Sequence, residues 1–317
     1  MSNGAPDPSC WKLTTAAVLA SLLLAACGGG GGGSTQTAPQ PVVEPGTPGA
    51  PVATNNTAVD GRNWINYRRS QAGLSVLTQN AIVDKTAQAH SDYQRLNDTI
   101  THTETPGKPG FTGEDLEDRL LAAGFAFVGD SAFGEVISAT SSNSGFYMAE
   151  ELITAIYHRF VIFEPRFEEI GSGSGTTGGG YTYFTANFTA NNGYGPGLGT
   201  GVSTWPFSGQ TGVAPNFLSD YESPDPVPNV NEVGYPVSVQ GDLDAVLTTT
   251  SFTIRERGAA TNLAVRLLTN ANDSNTPASA AAIVPLTKLK SNAVYEVSFS
   301  GTIRGTPVTR NWSFTTK

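Results

Sequence analysis

The sequence predicts an α+β domain followed by an all-β sandwich domain. Over residues 58–193, stretches with helical spacing of apolar residues come first and a pair of alternating strands comes last. That order is typical of layered α+β domains rather than of doubly wound parallel sheets. Beyond residue 205, short β-rich stretches alternate with turns at intervals of roughly 8–15 residues, a spacing typical of β-sandwiches.

The first domain is predicted to contain four helices and three strands. Helices are expected over 58–71, after a cap at Thr78, over 114–123 and over 148–159. Strands are expected over 133–139, 168–173 and 181–189. The G-x-G-x-x-G pattern at 173–178 is interpreted as a hairpin loop, because a strand rather than a helix follows it. In the second domain, strands are expected over 236–240, 249–256, 264–269, 281–285, 293–301 and 311–316.

The composition excludes several classes of protein. Hydrophobic residues make up 38% of the 317 residues, charged residues make up 14%, and the net charge is −9. The chain is therefore too apolar to be disordered and too acidic for a general nucleic-acid binder. Both cysteines, Cys10 and Cys27, lie near the N-terminus, so the rest of the sequence has no disulfide framework, cysteine-ligated metal site or cysteine nucleophile.

The N-terminus has the features of an export signal. Lys12 precedes an apolar stretch at 13–26, which is too short for a membrane-spanning helix and suits a signal-peptide core. The stretch ends in Leu-Ala-Ala-Cys at 24–27, which resembles a bacterial lipoprotein box; an ordinary signal peptide is the alternative. The resemblance implies cleavage after residue 26, a lipid on Cys27 that anchors the chain in the membrane, and a place in the bacterial envelope. The Gly- and Pro-rich segment 27–57 would be a flexible tether, and the glycine after Cys27 resembles those of lipoproteins sorted to the outer membrane.

The first domain resembles the bacterial CAP (SCP-like) family, whose superfamily includes cysteine-rich secretory proteins, antigen 5 and plant pathogenesis-related proteins. Several motifs carry the resemblance, in the family's order: N-x-x-R-x-x-x-G-L-x-x-L at 66–77, A-Q-A-H-S at 87–91, His102, Gly134-Glu135, His158-Arg159 and P-R-F-E-E-I-G-S-G at 165–173. The resemblance implies an α-β-α sandwich with a central antiparallel sheet over 58–193.

The resemblance also assigns His102, Glu135 and His158 to the family's ligand cleft. Two imidazoles and a carboxylate can hold a divalent metal such as zinc with a water position left open. Without a metal, a carboxylate beside an imidazole can hold one tautomer for acid–base work. The third histidine of the chain, His90, lies beside the apolar stripe of its predicted helix and is interpreted as structural.

The sequence departs from the family's pattern around this cleft. Val136 follows Glu135 where the family often has Asn, and no carboxylate lies within 153–157, where the family's second glutamate would stand. Glu150 and Glu151 are about one turn early. The sequence therefore predicts a site of three residues and assigns no catalytic residue. A separate acidic loop, with Asp220, Glu222 and Asp225, is interpreted as a solvated turn, with calcium binding as the alternative.

The C-terminal domain, 205–317 after a linker at 194–204, resembles bacterial Ig-like modules. The resemblance rests on Trp-Ser-Phe-Thr-Thr at 312–316 and on the segment 205–213, and implies a spacing or adhesive role. Three functions stay open for the whole chain. It is a binding module for a small ligand, lipid, envelope polymer or protein, or a metal-dependent hydrolase of envelope peptides or glycans, or a structural protein with a vestigial cleft.

Overall fold

The computed structural model describes residues 49–317. The predicted signal peptide, the lipid attachment at Cys27 and most of the predicted tether lie outside the described residues. Across residues 49–317, no helix has the length and apolar character needed to cross a membrane.

Within the described residues, the first region combines five helices with the four strands of one sheet. Its elements, in chain order, are α1 (Thr57–Gln71), β1 (Thr78–Gln79), α2 (Ala81–Asn97), α3 (Leu116–Ala123), β2 (Ala132–Thr140), α4 (Gly145–Thr154), α5 (Ile156–Ile162), β3 (Glu169–Thr176) and β4 (Thr182–Ala190). All the predicted helices and strands are present, with two corrections.

The first correction concerns the start of α2. Asn80 rather than Thr78 is its N-cap, because the Asn80 side chain accepts hydrogen bonds from the backbone of Ile82 and Val83. Thr78 pairs with β3 instead. The second correction concerns the helix predicted over 148–159, which is two helices. Ala155 has an extended backbone, with ψ of 120°, and separates α4 from α5.

The sheet has the strand order β1-β3-β4-β2, with β4 antiparallel to both of its neighbours and β1 parallel to β3. Glu135 of β2 and Gly171 of β3 lie opposite Asn187 of β4, so these three share one face. Helix α2 crosses that face closely. On the other face, Gly61 of α1 lies against the ring of Phe184, and Val161 of α5 lies against Gly134. Helices cover both faces, so the predicted α-β-α sandwich is confirmed.

The second region is built from antiparallel strands. Its strands are β5 (Ser203–Trp205), β6 (Asn216–Leu218), β7 (Glu232–Gly234), β8 (Val237–Gln240), β9 (Leu247–Glu256), β10 (Val265–Thr269), β11 (Ala280–Pro285), β12 (Val294–Ile303) and β13 (Thr306–Thr315). They form a four-stranded sheet in the order β10-β11-β8-β5, a three-stranded sheet in the order β13-β12-β9, and the pair β6-β7. The predicted all-β region is confirmed, whereas strands β5, β6 and β7 escaped prediction because each has only three residues.

The two regions share buried surface. One hydrophobic cluster contains residues of both, and the rings of Phe163 and Trp205 meet edge to face with centroids 4.9 Å apart. The predicted linker at 194–204 is tied down by Asp242, whose carboxylate accepts hydrogen bonds from the backbone N–H groups of Leu198 (2.6 Å) and Gly199 (3.0 Å). The connection is thus hydrogen-bonded to the second region. The domain boundaries themselves stay a prediction.

Candidate functional site

His102 and Glu135 are in direct contact. His102 lies in the loop between α2 and α3, and its Nδ1 is 2.8 Å from Oε1 of Glu135 on β2. Arg119 of α3 joins the pair: its Nη2 lies 2.9 Å from each Glu135 oxygen, and its Nη1 donates to the carbonyl oxygen of His102 at 2.8 Å. A single guanidinium therefore fixes both the carboxylate and the loop that carries the imidazole.

The environment of Glu135 keeps its carboxylate ionised. Burial by itself would raise the pKa of Glu135, but the charges of Arg119 and His90 and the hydrogen bond from His102 lower it well below its ordinary value. A carboxylate can only accept hydrogen bonds, so the contact at Nδ1 of His102 has the imidazole as the donor. In its neutral form the His102 ring then carries its lone pair at Nε2.

His90 extends this buried network. Its Nδ1 is 2.8 Å from Oε1 of Glu104, and its Nε2 is 2.7 Å from the carbonyl oxygen of Thr101. Each ring nitrogen faces an acceptor, an arrangement that suits a ring protonated on both sides. Nε2 also lies 3.8 Å from Oε1 of Glu135. His90, interpreted from the sequence as structural, is therefore one of the buried residues that surround Glu135.

His158 belongs to a second group of residues. It lies on α5, the helix that packs against the face of β2 opposite Glu135, and its Nδ1 is 3.2 Å from Oε1 of Glu222. Glu222 comes from the second region and is only 2% exposed, so its interpretation as part of a solvated turn is wrong. The structure thus joins His102 to Glu135 directly, and joins His158 to a carboxylate from elsewhere in the chain.

Two nearby glutamates on α4 have other partners. Glu150 accepts hydrogen bonds from Arg68 and from the indole of Trp64. Glu151 is bonded to the hydroxyl of Tyr147, and burial raises its pKa to about 7. Neither is the carboxylate beside His158, in agreement with the spacing that placed them one turn early.

Comparison with known proteins identifies the first region. Residues 63–188 match the model of the CAP family, described as the cysteine-rich secretory protein family. The first region is a CAP domain. No curated protein matches this sequence.

Solved structures include several distant matches. An extracellular SCP-domain protein of Bacillus anthracis is 22% identical, with a TM-score of 0.36, and the match covers 44% of each chain. An outer surface protein of Borrelia burgdorferi is 17% identical, with a TM-score of 0.35, over 41% of this chain and 90% of that one. A cysteine-rich secretory protein of Staphylococcus aureus is 16% identical, with a TM-score of 0.31, over 44% of this chain and 40% of that one. This chain thus spans less than half of the B. anthracis and S. aureus proteins.

The side chains of the CAP domain do not fit the divalent metal that the sequence admits. Both oxygens of Glu135 lie against the Arg119 guanidinium, so a metal ion there would meet a fixed positive charge at close range. Among residues 49–317, no cluster of three or more His, Cys, Asp or Glu side chains is arranged to hold a metal ion. Zinc bound by His102, Glu135 and His158 would require Glu135 to exchange Arg119 for the metal.

Sequence reasoning missed three residues of the site: Arg119, Glu104 and Glu222. Arg119 carried a signal, because it stands at helical spacing from Leu116 on the buried stripe of α3, where a charged residue needs a partner. Glu222 carried none, since its contact joins residues 64 positions apart in the chain. Long-range contacts of this kind depend on the packing of the second region against the CAP domain.

Proposed function

We propose that this chain is an envelope-tethered CAP-domain protein that binds a small ligand, lipid, envelope polymer or protein at the His102–Glu135 pair. His158, which the structure places beside Glu222, is proposed as the third residue of the site because the family resemblance assigns it there. The observation that carries the proposal is the buried network in which Arg119 and His90 surround the Glu135–His102 pair. Binding is proposed without a metal, because the Glu135 carboxylate is already bonded to Arg119.

The cost of this network is the first argument for function. Removing charged groups from water is expensive, and apolar residues of the same volume would often be as stable or more so. Buried charges whose pKa values are strongly shifted cluster at functional sites, and Glu135 is such a group. We therefore infer that the network serves to keep a functional site in place, since stability alone would not require buried charges.

The orientation of His102 is the second argument. The bond from Nδ1 to Glu135 fixes the ring and leaves Nε2 as its acceptor position. A ring held in one orientation and one tautomer by buried partners is preorganised, which lowers the cost of recognising a ligand. The same arrangement would serve a general base, which is why hydrolysis of envelope peptides or glycans is the second candidate function.

The proposed location rests on the N-terminal sequence. The signal-peptide pattern at 1–26, with Cys27 as lipid attachment site, would anchor the chain in the bacterial envelope, with the outer membrane as its destination. Two of the similar structures are described as an extracellular protein and an outer surface protein. An extracytoplasmic position agrees with both. The membrane is then the first partner, through the lipid, and a nucleic-acid partner is not expected.

A binding assay with defined probes tests the proposal. The chain from residue 27, carrying Cys27→Ser, is incubated with phosphatidylethanolamine–phosphatidylglycerol vesicles and with muropeptides from digested peptidoglycan. His102→Asn is the informative variant, because an asparagine amide can replace the Nδ1 donor to Glu135 but offers nothing at the Nε2 position. We expect binding of one probe by the parent chain and loss of that binding in His102→Asn and in His158→Ala.

The products and the controls separate the three functions. Binding without turnover supports the binding module, whereas probe cleavage that His102→Asn abolishes favours the hydrolase. Equal binding by parent and both variants, all folded by circular dichroism, would contradict the proposed cleft and favour the structural alternative. Lys108→Ala, an exposed change in the same loop, serves as the matched control and should bind like the parent chain.

A further inference from the structure

Glu222 is built into a fixed position in the second region. It follows the short 3-10 helix Ser219–Tyr221, and its backbone N–H donates to the carbonyl oxygen of Ser219 at 3.0 Å. Ser219 is itself held by Asn231, whose carbonyl oxygen accepts the Ser219 N–H at 2.8 Å, and by the carbonyl oxygen of Val230, 2.9 Å from the Ser219 hydroxyl. The carboxylate therefore has a rigid point of attachment.

The Glu222 carboxylate occupies the N-terminus of α5. Its Oε2 accepts from the N–H of Ile156 at 2.8 Å, and its Oε1 accepts from the N–H of Tyr157 at 2.6 Å and of His158 at 3.3 Å. The N-cap residue of α5 is Ala155, which has no side chain able to cap the helix. A negative charge beside the first N–H groups of a helix is favourable. Glu222 thus takes the place of an N-cap side chain from 64 to 66 residues away.

The same oxygen determines the state of the His158 ring. Oε1 of Glu222 lies 3.2 Å from Nδ1 of His158 and can only accept a hydrogen bond. The proton of the neutral ring is then on Nδ1 and the lone pair is on Nε2, which matches the arrangement that Glu135 imposes on His102.

We propose that Glu222 is a positioning residue for His158, through which the second region becomes a working part of the CAP-domain site. The proposal rests on the proposed function only in taking His158 as a site residue. It assigns to the C-terminal region a role beyond spacing or adhesion, because removing the Glu222 carboxylate would change the tautomer and the orientation of the His158 ring.

The neighbours of His158 on α5 are held by the second region in the same way. The Asp273 carboxylate lies near Tyr157, and burial together with this carboxylate raises the pKa of the Tyr157 hydroxyl. Arg159 donates from Nη1 to the carbonyl oxygen of Pro236 at 2.8 Å, and Gln240 donates to the carbonyl oxygen of Phe160 at 2.8 Å. Residues on both sides of His158 are thus in contact with the second region. The contact between Glu222 and His158 is therefore one of several between α5 and that region.

Nitrogen-15 spectroscopy of the histidine rings tests the proposal without any ligand. The chain has only three histidines, so a long-range proton–nitrogen spectrum of the chain from residue 27 with Cys27→Ser contains six ring nitrogens. His102→Asn identifies one pair, and His158→Gln identifies another. In the parent chain we expect the neutral His158 ring to be protonated on Nδ1. In Glu222→Ala we expect the proton to move to Nε2 in most molecules, because Nδ1 loses its acceptor.

Two further variants make each result decisive. Glu222→Gln keeps one oxygen that can face Nδ1, so the parent tautomer should be retained, but its NH2 group then faces the N–H of Ile156. We expect the Ile156 amide to exchange with solvent about tenfold faster in that variant. Asp220→Ala, an exposed change in the same loop, should alter neither signal.

A folded Glu222→Ala chain with the parent tautomer at His158 would overturn the proposal. If Glu222→Ala does not fold, unchanged exchange at Ile156 in Glu222→Gln would overturn it instead. Because no ligand enters the measurement, failure here leaves the binding proposal standing, and failure of the binding assay leaves the tautomer result standing.

Discussion

Arg119 allows Glu135 to stay charged in the interior. Breaking a buried ion pair by removing one partner costs about 3–5 kcal/mol, because the other charge is left uncompensated. We therefore expect Arg119→Met to lower the free energy of unfolding, measured by urea denaturation, by about that amount. Arg95→Met is the matched control: Arg95 pairs with Asp92 on the partly exposed surface of α2, and such pairs contribute about 0–1 kcal/mol. Equal losses in the two variants would contradict this account of the network.

Glu164 should make stability depend on pH. Burial raises its pKa to about 8, although the backbone N–H groups of Arg166 and Leu243 donate to it. An acid with a raised folded-state pKa favours the folded protein at low pH, and that advantage is lost as pH rises from about 4.5, the ordinary pKa of a glutamate, toward 8.

Replacing Glu164 isolates this effect. We expect Glu164→Gln to gain stability relative to the parent chain as pH rises from 5 to 8, by up to about 1.4 kcal/mol per pH unit. Urea midpoints at four pH values across that window measure the difference. A difference that is constant across the window would show that Glu164 titrates normally in the folded chain.

At the scale of elements, two glycines of β3 set how closely α2 approaches the sheet. A Cβ at Gly171 would overlap the backbone of Val83, and one at Gly173 would overlap the backbone of Gln88. We expect Gly171→Ala to cost about 3 kcal/mol, because a backbone rather than a flexible side chain must move. Gly178→Ala, in the hairpin turn where nothing lies within 4 Å, should change the urea midpoint little. Similar midpoints in both variants would mean that α2 can shift on the sheet.

The elements also show how far sequence patterns reach. Capping residues, helical spacing and alternation located the helices and strands of the CAP domain, apart from the two-residue strand β1 and the division between α4 and α5, because these signals are local. The break at Ala155 was missed because neither side of it contains a breaker residue. It is stabilised instead by Arg159, which donates to the carbonyl oxygens of Ile153 and Thr154 at the end of α4. Motif resemblance grouped His102, Glu135 and His158 in one cleft, whereas the structure brings His102 against Glu135 and places His158 beside Glu222. It could not supply Glu222, whose approach to His158 depends on the second region.

At the scale of the whole molecule, the connection at 194–204 should resist proteases. Its sequence is that of a flexible joint, yet Asp242 holds its backbone and Arg166 lies 3.5 Å from the same carboxylate. We expect the parent chain to resist thermolysin at this segment and Asp242→Ala to be cut there. Asp244→Ala, a partly exposed carboxylate two residues away, is the control and should behave like the parent chain. Rapid cleavage of the parent chain at 194–204 would contradict this prediction.

Helix α5 is capped at both ends by charges from distant residues. Glu222 accepts from its first N–H groups, and the guanidinium of Arg69 donates to the carbonyl oxygens of Ile162 and Glu164 at 2.7 and 2.9 Å. Seven residues are too few for a helix to persist alone in water. The formation of α5, and with it the position of His158, should therefore depend on the carboxylate of Glu222 and the guanidinium of Arg69. Loss of either contact should displace His158 even in a chain whose longer helices and strands stay folded.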